Sequence, residues 1–276
     1  MAELRFGTGG VPLSAKERSV IAGLHRIREL ELDCMEVEFV HGVRMKQEKA
    51  EEAGRLAREL NVSLTCHGPY YINLNAEEPD KKVASVRRIL ETARAAHWLG
   101  AGSITFHAGF FMKSGREEVY GVIREALAGI TGTVAEEGLN VRISPELTGK
   151  ESQFGSLEEL LRLSAEVKNI HPCIDFSHYH ARTGGAQNSY PEFCVTLERI
   201  EKALGRPALE NLHMHVSGIN YTAKGERNHL ILEESDLEYK ALLKALKDFK
   251  VGGNLVCESP NLEEDAALLK KTYEGL

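Results

Sequence analysis

The feature that most constrains this chain is a rhythm. Short β-rich segments recur about every 30 residues, separated by longer amphipathic stretches, the alternation that yields parallel strands joined by helical crossovers. The strand segments are Leu4–Gly7, Cys34–Val40, Ser63–His67, Ser103–His107, Arg142–Glu146, Pro172–Asp175, Asn211–Val216 and Asn254–Glu258. Several are largely apolar runs, as strands buried on both faces should be. Between them, Lys82–Leu99 repeats Val83, Val86, Ile89, Leu90, Ala93, Ala96 and Trp98 at helical spacing. Arg116–Glu137, Leu157–Val167, Glu192–Leu204, Asp236–Phe249 and Leu262–Tyr273 read the same way, with Ser156 and Ser235 as N-caps. Eight strands, each followed by a helix, predict a (β/α)8 TIM barrel, and a single domain over residues 1–276 suits that fold. The turn Gly7-Thr8-Gly9-Gly10 is not GxGxxG, so it reads as a flexible loop rather than a nucleotide turn.

Composition narrows the setting. A net charge of −7 gives no global attraction to nucleic acid, so such a partner would need a local basic rim or bound cations. The five cysteines are odd in number and contain no CxxC pair, which argues against a disulfide framework or a cysteine zinc site. Reduced thiols, no signal-peptide pattern and no apolar run near the ~20 residues of a membrane span lead us to expect a cytoplasmic, non-membrane monomer.

The informative pattern is where ligand-type residues fall. Strand three ends in His67, strand four in His107, strand five in Glu146; strand six carries Asp175 and runs on to His178; strand seven holds His213 and His215; strand eight ends in Glu258. In a barrel those C-terminal ends converge on one mouth, where active sites are built. Gathering so many charges there is prohibitive unless cations neutralise them. Imidazoles and carboxylates without thiolates suit zinc, manganese or iron. Each residue alone has a plainer role open to it, as a hydrogen-bonded rim histidine, an N-cap or an ion-pair partner; the joint pattern carries the weight. His213 and His215 are two apart and share a strand face, so one is open as a ligand and the other as a deeper, satisfied core histidine. His97 and His171 read as structural or exposed.

Taken together, these motifs resemble the endonuclease IV family, the zinc-dependent apurinic/apyrimidinic endonucleases of base-excision repair. The resemblance spans strands three to eight. It rests on His67-Gly68-Pro69-Tyr70-Tyr71-Ile72-Asn73-Leu74, Phe106-His107-Ala108-Gly109, Glu146 with Gly149, Cys173-Ile174-Asp175 with His178, His215, Gly225-Glu226-Arg227-Asn228-His229 and Glu258. It implies two to three Zn2+ ions per chain, with Mn2+ an option at one site. His67 and His107 would hold the first, Glu146 would bridge to a second completed by Asp175, His215 and Glu258, and His178, Glu226 and His229 would hold the third. Glu146 and Glu258 would be the catalytic carboxylates. Zinc-activated water would cut duplex DNA 5′ to an abasic site, leaving a 3′-hydroxyl and a 5′-deoxyribose phosphate. Tyr70 would enter the base stack, and Arg44, Asn73, Lys113 and Arg227 would contact the nucleic acid, with Arg116 and the Phe110-Phe111-Met112 loop beside them.

The chain also departs from the family pattern. Strand one reads Arg5-Phe6-Gly7-Thr8-Gly9 instead of opening His-Val-Ser, and Leu147-Thr148-Gly149-Lys150 replaces Asn-Thr-Ala-Gly. The third-metal motif, usually Asp-x-His, is Glu226-Arg227-Asn228-His229. Either Glu226 and His229 span one extra residue, or Asn228 takes the histidine's place. Two other functions stay open. One is a divalent-metal sugar isomerase or epimerase on the same barrel, using Glu146, Asp175, His215 and Glu258; the other is a damage-binding protein with an inactive centre.

Overall fold

The structure is a computed structural model that describes residues 3–276. Its strands in chain order are β1 (Leu4–Gly9), β2 (Cys34–Glu38), β3 (Ser63–His67), β4 (Ser103–Phe106), β5 (Arg142–Pro145), β6 (Cys173–Asp175), β7 (Leu212–Val216), β8 (Gly218–Thr222), β9 (Gly225–Leu230) and β10 (Gly253–Cys257). The helices are α1 (Val20–Glu29), α2 (Gln47–Glu59), α3 (Pro79–Leu99), α4 (Arg116–Glu136), α5 (Leu157–Glu166), α6 (Phe176–Arg182), α7 (Tyr190–Leu204), α8 (Arg206–Leu209), α9 (Tyr239–Asp248) and α10 (Glu263–Glu274).

Eight strands form one parallel sheet in the order β5-β4-β3-β2-β1-β10-β7-β6. The two ends of that order meet. The Leu147 amide donates to the Cys173 carbonyl and the His171 amide to the Ile143 carbonyl, both at 3.0 Å, which closes the ring. The sheet is therefore a TIM barrel, as the rhythm predicts. Its wall is packed on both faces: Phe6, Met35, Ile104, Phe106, Ile143, Ile174, Met214 and Leu255 are buried, which is why these strands read as apolar runs without alternation. Among the described residues no helix is long and apolar enough to cross a membrane.

Several local expectations change. Helix α5 starts as expected on Ser156, whose hydroxyl accepts from the Glu159 amide while Glu159 reaches back to the cap. Ser235 is not a helix cap: it ends a 3-10 turn, its hydroxyl accepts from the Ile219 and Leu237 amides, and α9 begins only at Tyr239. Strand six stops at Asp175, where the Asp175 carboxylate accepts from the His178 amide and starts α6, so His178 lies on a helix. Two helices outside the sequence reading, α1 and α2, complete the outer layer. The segment after β7 forms the antiparallel hairpin β8–β9, which leans on α6.

Candidate metal centre

The donors named from the sequence converge on the C-terminal mouth of the barrel. Strand register brings them level: Asp175 pairs with His215 across β6 and β7, and His215 with Val256 of β10, two residues before Glu258. Glu146 is the hub. Its Oε2 lies 3.2 Å from His67 Nε2 and 3.4 Å from His107 Nε2; its Oε1 lies 3.1 Å from His178 Nδ1 and 3.5 Å from His215 Nδ1. Each oxygen of one carboxylate thus faces a different group of imidazoles. Donor atoms lie within 4.8 Å of one another in five groups: His67, His107 and Glu146; Glu146, Asp175, His215 and Glu258; His178, Glu226 and His229; Glu36, Glu38 and Glu258; and Cys173, His213 and His215.

Whether these groups suit cations is answered by where the ring protons must sit. His67 Nδ1 is 2.7 Å from the Gly68 carbonyl, so that nitrogen carries a proton, and Nε2 faces Glu146 Oε2 at 3.2 Å, where a second proton or a cation must lie between them. His178 Nδ1 donates to the Leu147 carbonyl at 3.1 Å and His229 Nδ1 to the Glu258 carbonyl at 3.1 Å. Their Nε2 atoms, both left bare, face each other at 3.5 Å, and His178 Nε2 is 3.6 Å from Glu226 Oε2. Lone pairs aimed at lone pairs repel unless a cation or a proton lies between them. Asp175 Oδ2 and both ring nitrogens of His215 are likewise buried without a hydrogen-bond partner. The residues present therefore fit divalent metal ions.

The electrostatics say the same. Burial works against ionising Glu146, yet His107, His178 and His215 hold it well below the usual carboxylate range. Burial pulls His67 down, and the Glu38 and Glu146 carboxylates outweigh it, raising His67 to about 10. A cleft that drives up an imidazole this far favours positive charge of any kind.

The hairpin decides which residue stands beside Glu226. Tyr221 pairs with Glu226 but Asn220 pairs with Asn228, so the hairpin is bulged at Arg227. Strand alternation would send residues three apart to opposite faces; the extra residue cancels that and brings Glu226 and His229 to one side. Asn228 is exposed, and its amide donates to the His229 carbonyl. The hairpin seats against Gly149, whose carbonyl accepts from the Glu226 amide at 3.0 Å. A Cβ on Gly149 would stand 2.6 Å from Glu226 Cβ.

The expected nucleic-acid contacts divide. Tyr70 is 66% exposed at the mouth, 6.2 Å between ring centres from His67, with Tyr71, Phe110 and Met112 also exposed nearby in sequence. Arg44, Lys113 and Arg227 are exposed and lack an ion-pair partner among the described residues. Arg116 instead lies over the Phe111 ring at 4.4 Å and reaches Glu159. The Asn73 side-chain oxygen turns inward and accepts from the amides of Asn75 and Phe110, bracing the two loops. A cavity of about 1060 Å³ lies at the opposite end of the barrel, lined in part by Arg5, Arg142 and Asn254, and holds none of the clustered donors.

Sequence reasoning passed over strand two. Glu36 is fully buried beneath the donors, 2.8 Å from His213 Nε2 and 2.9 Å from His215 Nε2. Glu38 pairs in register with His67, and burial raises its carboxyl to about 8. The signal was two glutamates at alternate positions of a strand otherwise written in apolar residues. His213, expected as either ligand or core histidine, touches Ser103 and Glu36 in the barrel interior, while His215 faces Glu146.

Residues 24–274 match the model of the xylose isomerase-like TIM barrel family. The chain belongs to that family. A protein of Methanocaldococcus jannaschii, described only as uncharacterized, is 44% identical over 273 residues, 99% of this chain and 98% of that one. A probable endonuclease 4 of Acholeplasma laidlawii is 26% identical over 206 residues, 72% of this chain and 68% of its own. Among solved structures, endonuclease IV of Thermus thermophilus has a TM-score of 0.73 at 19% identity over 98% of each chain. A D-tagatose 3-epimerase-like protein has a TM-score of 0.71 at 18% identity over 98% of this chain and 96% of that one. These two structural likenesses concern the fold.

Proposed function

We propose that this protein is a divalent-metal-dependent phosphodiesterase of the endonuclease IV type. It would cut duplex DNA 5′ to abasic sites and leave a 3′-hydroxyl and a 5′-deoxyribose phosphate. The observation that carries the reading is the third donor group, His178, Glu226 and His229. A sugar isomerase on this barrel has no need of it, nor of His67 and His107. The sequence likeness to a probable endonuclease 4 supports the same choice.

In this reading His67, His107 and Glu146 hold one ion, Glu146, Asp175, His215 and Glu258 a second, and His178, Glu226 and His229 a third. The imidazole-rich sets suit Zn2+, and the carboxylate-rich one also suits Mn2+. Such ions, when bound, supply Lewis-acid stabilisation of phosphoryl oxygens and a water acidic enough to act near neutrality. The protein's own part is placement. Glu146 presents one oxygen to His67 and His107 and the other to His215, and so would serve the first two sites together. Asp175 offers one oxygen to the cluster and spends the other on the His178 amide, so a single carboxylate serves its site and aims the helix that carries the next. Glu258 does likewise, its side chain beside His215 and its carbonyl on His229. Arg44, Lys113 and Arg227 would contact phosphates locally despite the overall negative charge. Tyr70 would fill the stack where a base is missing, a nucleotide that costs less than usual to extrude.

The test is a duplex carrying one tetrahydrofuran abasic analogue, incubated with and without a chelator. The analogue resists β-elimination, so a nick is hydrolytic. We expect a single nick 5′ to the analogue, abolished by chelator and restored by Zn2+. Metal-loaded protein that leaves the duplex intact would overturn the reading. A second reading, a sugar epimerase or isomerase, is favoured by the self-contained group Glu146, Asp175, His215 and Glu258. Conversion of a ketose by the Mn2+-loaded protein, with no nicking, would establish it.

A further inference from the structure

Beneath the donor cluster, Glu36 is fully buried on β2, two strands from β10 and three from β7. Three side chains close on its carboxylate. The Thr65 hydroxyl donates to it at 2.6 Å, and Nε2 of His213 and of His215 lie at 2.8 and 2.9 Å, one on each oxygen. His213 is pinned from its other side, where Nδ1 takes the Ser103 hydroxyl at 3.0 Å. His215 has nothing comparable on its other side. Its Nδ1 lies 3.4 Å from Glu258 Oε1 and 3.5 Å from Glu146 Oε1, and the buried Cys173 thiol is close to the same ring.

An imidazole brings one proton and one lone pair to its two nitrogens, and whichever nitrogen meets a permanent acceptor keeps the proton. We infer that Glu36 is the positioning residue of the centre: its charge, 2.9 Å from Nε2 of His215, keeps that ring's proton on Nε2 and leaves Nδ1 bare towards Glu146 and Glu258. Carboxylates behind metal-bound histidines fix the tautomer and raise ligand basicity. Glu36 does this for His215 and, through His213, Thr65 and Ser103, anchors the ligand to four barrel strands, β2, β3, β4 and β7. This role rests on the metal-centre reading proposed above. It concerns a residue outside the donor groups assigned there, so Glu36 itself touches no substrate.

The test uses the full chain, stripped with EDTA and titrated with Zn2+ against a chromophoric chelator, alongside melting temperatures in EDTA and in saturating Zn2+. Glu36→Gln keeps the side chain's size, removes its charge and introduces an amide donor facing two imidazoles. We expect one class of zinc site to weaken roughly 10- to 100-fold, and the zinc-induced rise in melting temperature to shrink. Glu36→Asp keeps the charge on a shorter arm and should recover part of the lost affinity. A lower melting temperature in EDTA with zinc affinity unchanged would mean that Glu36 serves only the fold, and the inference fails. Should Glu36→Gln not fold, the imidazole 15N shifts of the zinc-loaded wild type decide: a proton on His215 Nε2 supports the inference, and a proton on Nδ1 instead is equally fatal. Wild-type protein that binds no Zn2+ would overturn the metal-centre reading itself, which is a different result from a wild type that binds and a variant that binds equally well.

Discussion

Nε2 of His178 and Nε2 of His229 face each other across 3.5 Å, one carried by a helix and the other by a hairpin strand. Each has its second nitrogen committed to a backbone carbonyl, of Leu147 and of Glu258 respectively. In the reading proposed above, these two facing nitrogens and the Glu226 carboxylate beside them would hold one cation. His229→Ala should therefore lower the metal content by about one equivalent while leaving DNA binding largely intact. Asn228→Ala, which alters an exposed side chain, should change neither. Elemental analysis and single-turnover cleavage of both variants check this; single-turnover conditions keep slow product release from hiding a chemical defect. Equal metal content in the two variants would remove the hairpin from the centre.

Gly149 controls how closely that hairpin sits. A methyl group there would stand 2.6 Å from Glu226 Cβ, 2.8 Å from Glu226 Oε2 and 3.2 Å from His178 Cδ2. Gly149→Ala should push Glu226 away and weaken the same third group, at a stability cost of about 1–3 kcal/mol. Zinc stoichiometry and a denaturant melt measure both effects. Full metal content in the alanine variant would show that the hairpin shifts without consequence.

Glu146 spans two donor groups with its two oxygens. Glu146→Gln leaves the shape and removes the charge, so it should lower cleavage of abasic DNA by roughly a hundredfold or more. Rates at saturating substrate and metal test it. A mild change would mean that the activated water is generated elsewhere.

Glu263 offers a pH-dependent test away from the centre. Its oxygens accept from the amides of Leu13 at 2.8 Å and Ser14 at 2.7 Å, tying α10 to the loop after β1. Burial pushes its carboxyl up, but the hydrogen bonds from Ser14 and Leu13 prevail and hold it below the ordinary 4.5. A depressed folded-state value stabilises the fold above the unfolded value and loses that contribution as pH falls through the folded one. Glu263→Gln should therefore cost about 1–2 kcal/mol near neutrality, with the gap to wild type closing below roughly pH 4. Urea melts at pH 7 and at pH 3 read the difference. A constant gap would mean that the charge plays no part.

The barrel and most of its donors were legible because their signals are local. A parallel strand covered on both faces writes an apolar run, an amphipathic helix writes its stripe, and His67, His107, Glu146, Asp175 and Glu258 each stand where such a run ends. What the tertiary structure alone decided depends on neighbours distant in sequence. His213 and His215 are indistinguishable as letters; only Glu36 and Ser103, brought in by β2 and β4, turn one inward and leave the other facing Glu146. Glu226 and His229 lie at a spacing that a regular strand would split between faces, and only pairing with β8 creates the bulge that reunites them. Strand two kept its glutamates hidden for the same reason: a buried carboxylate looks like a surface one until the imidazoles that compensate it arrive from β7, nearly 180 residues further along the chain.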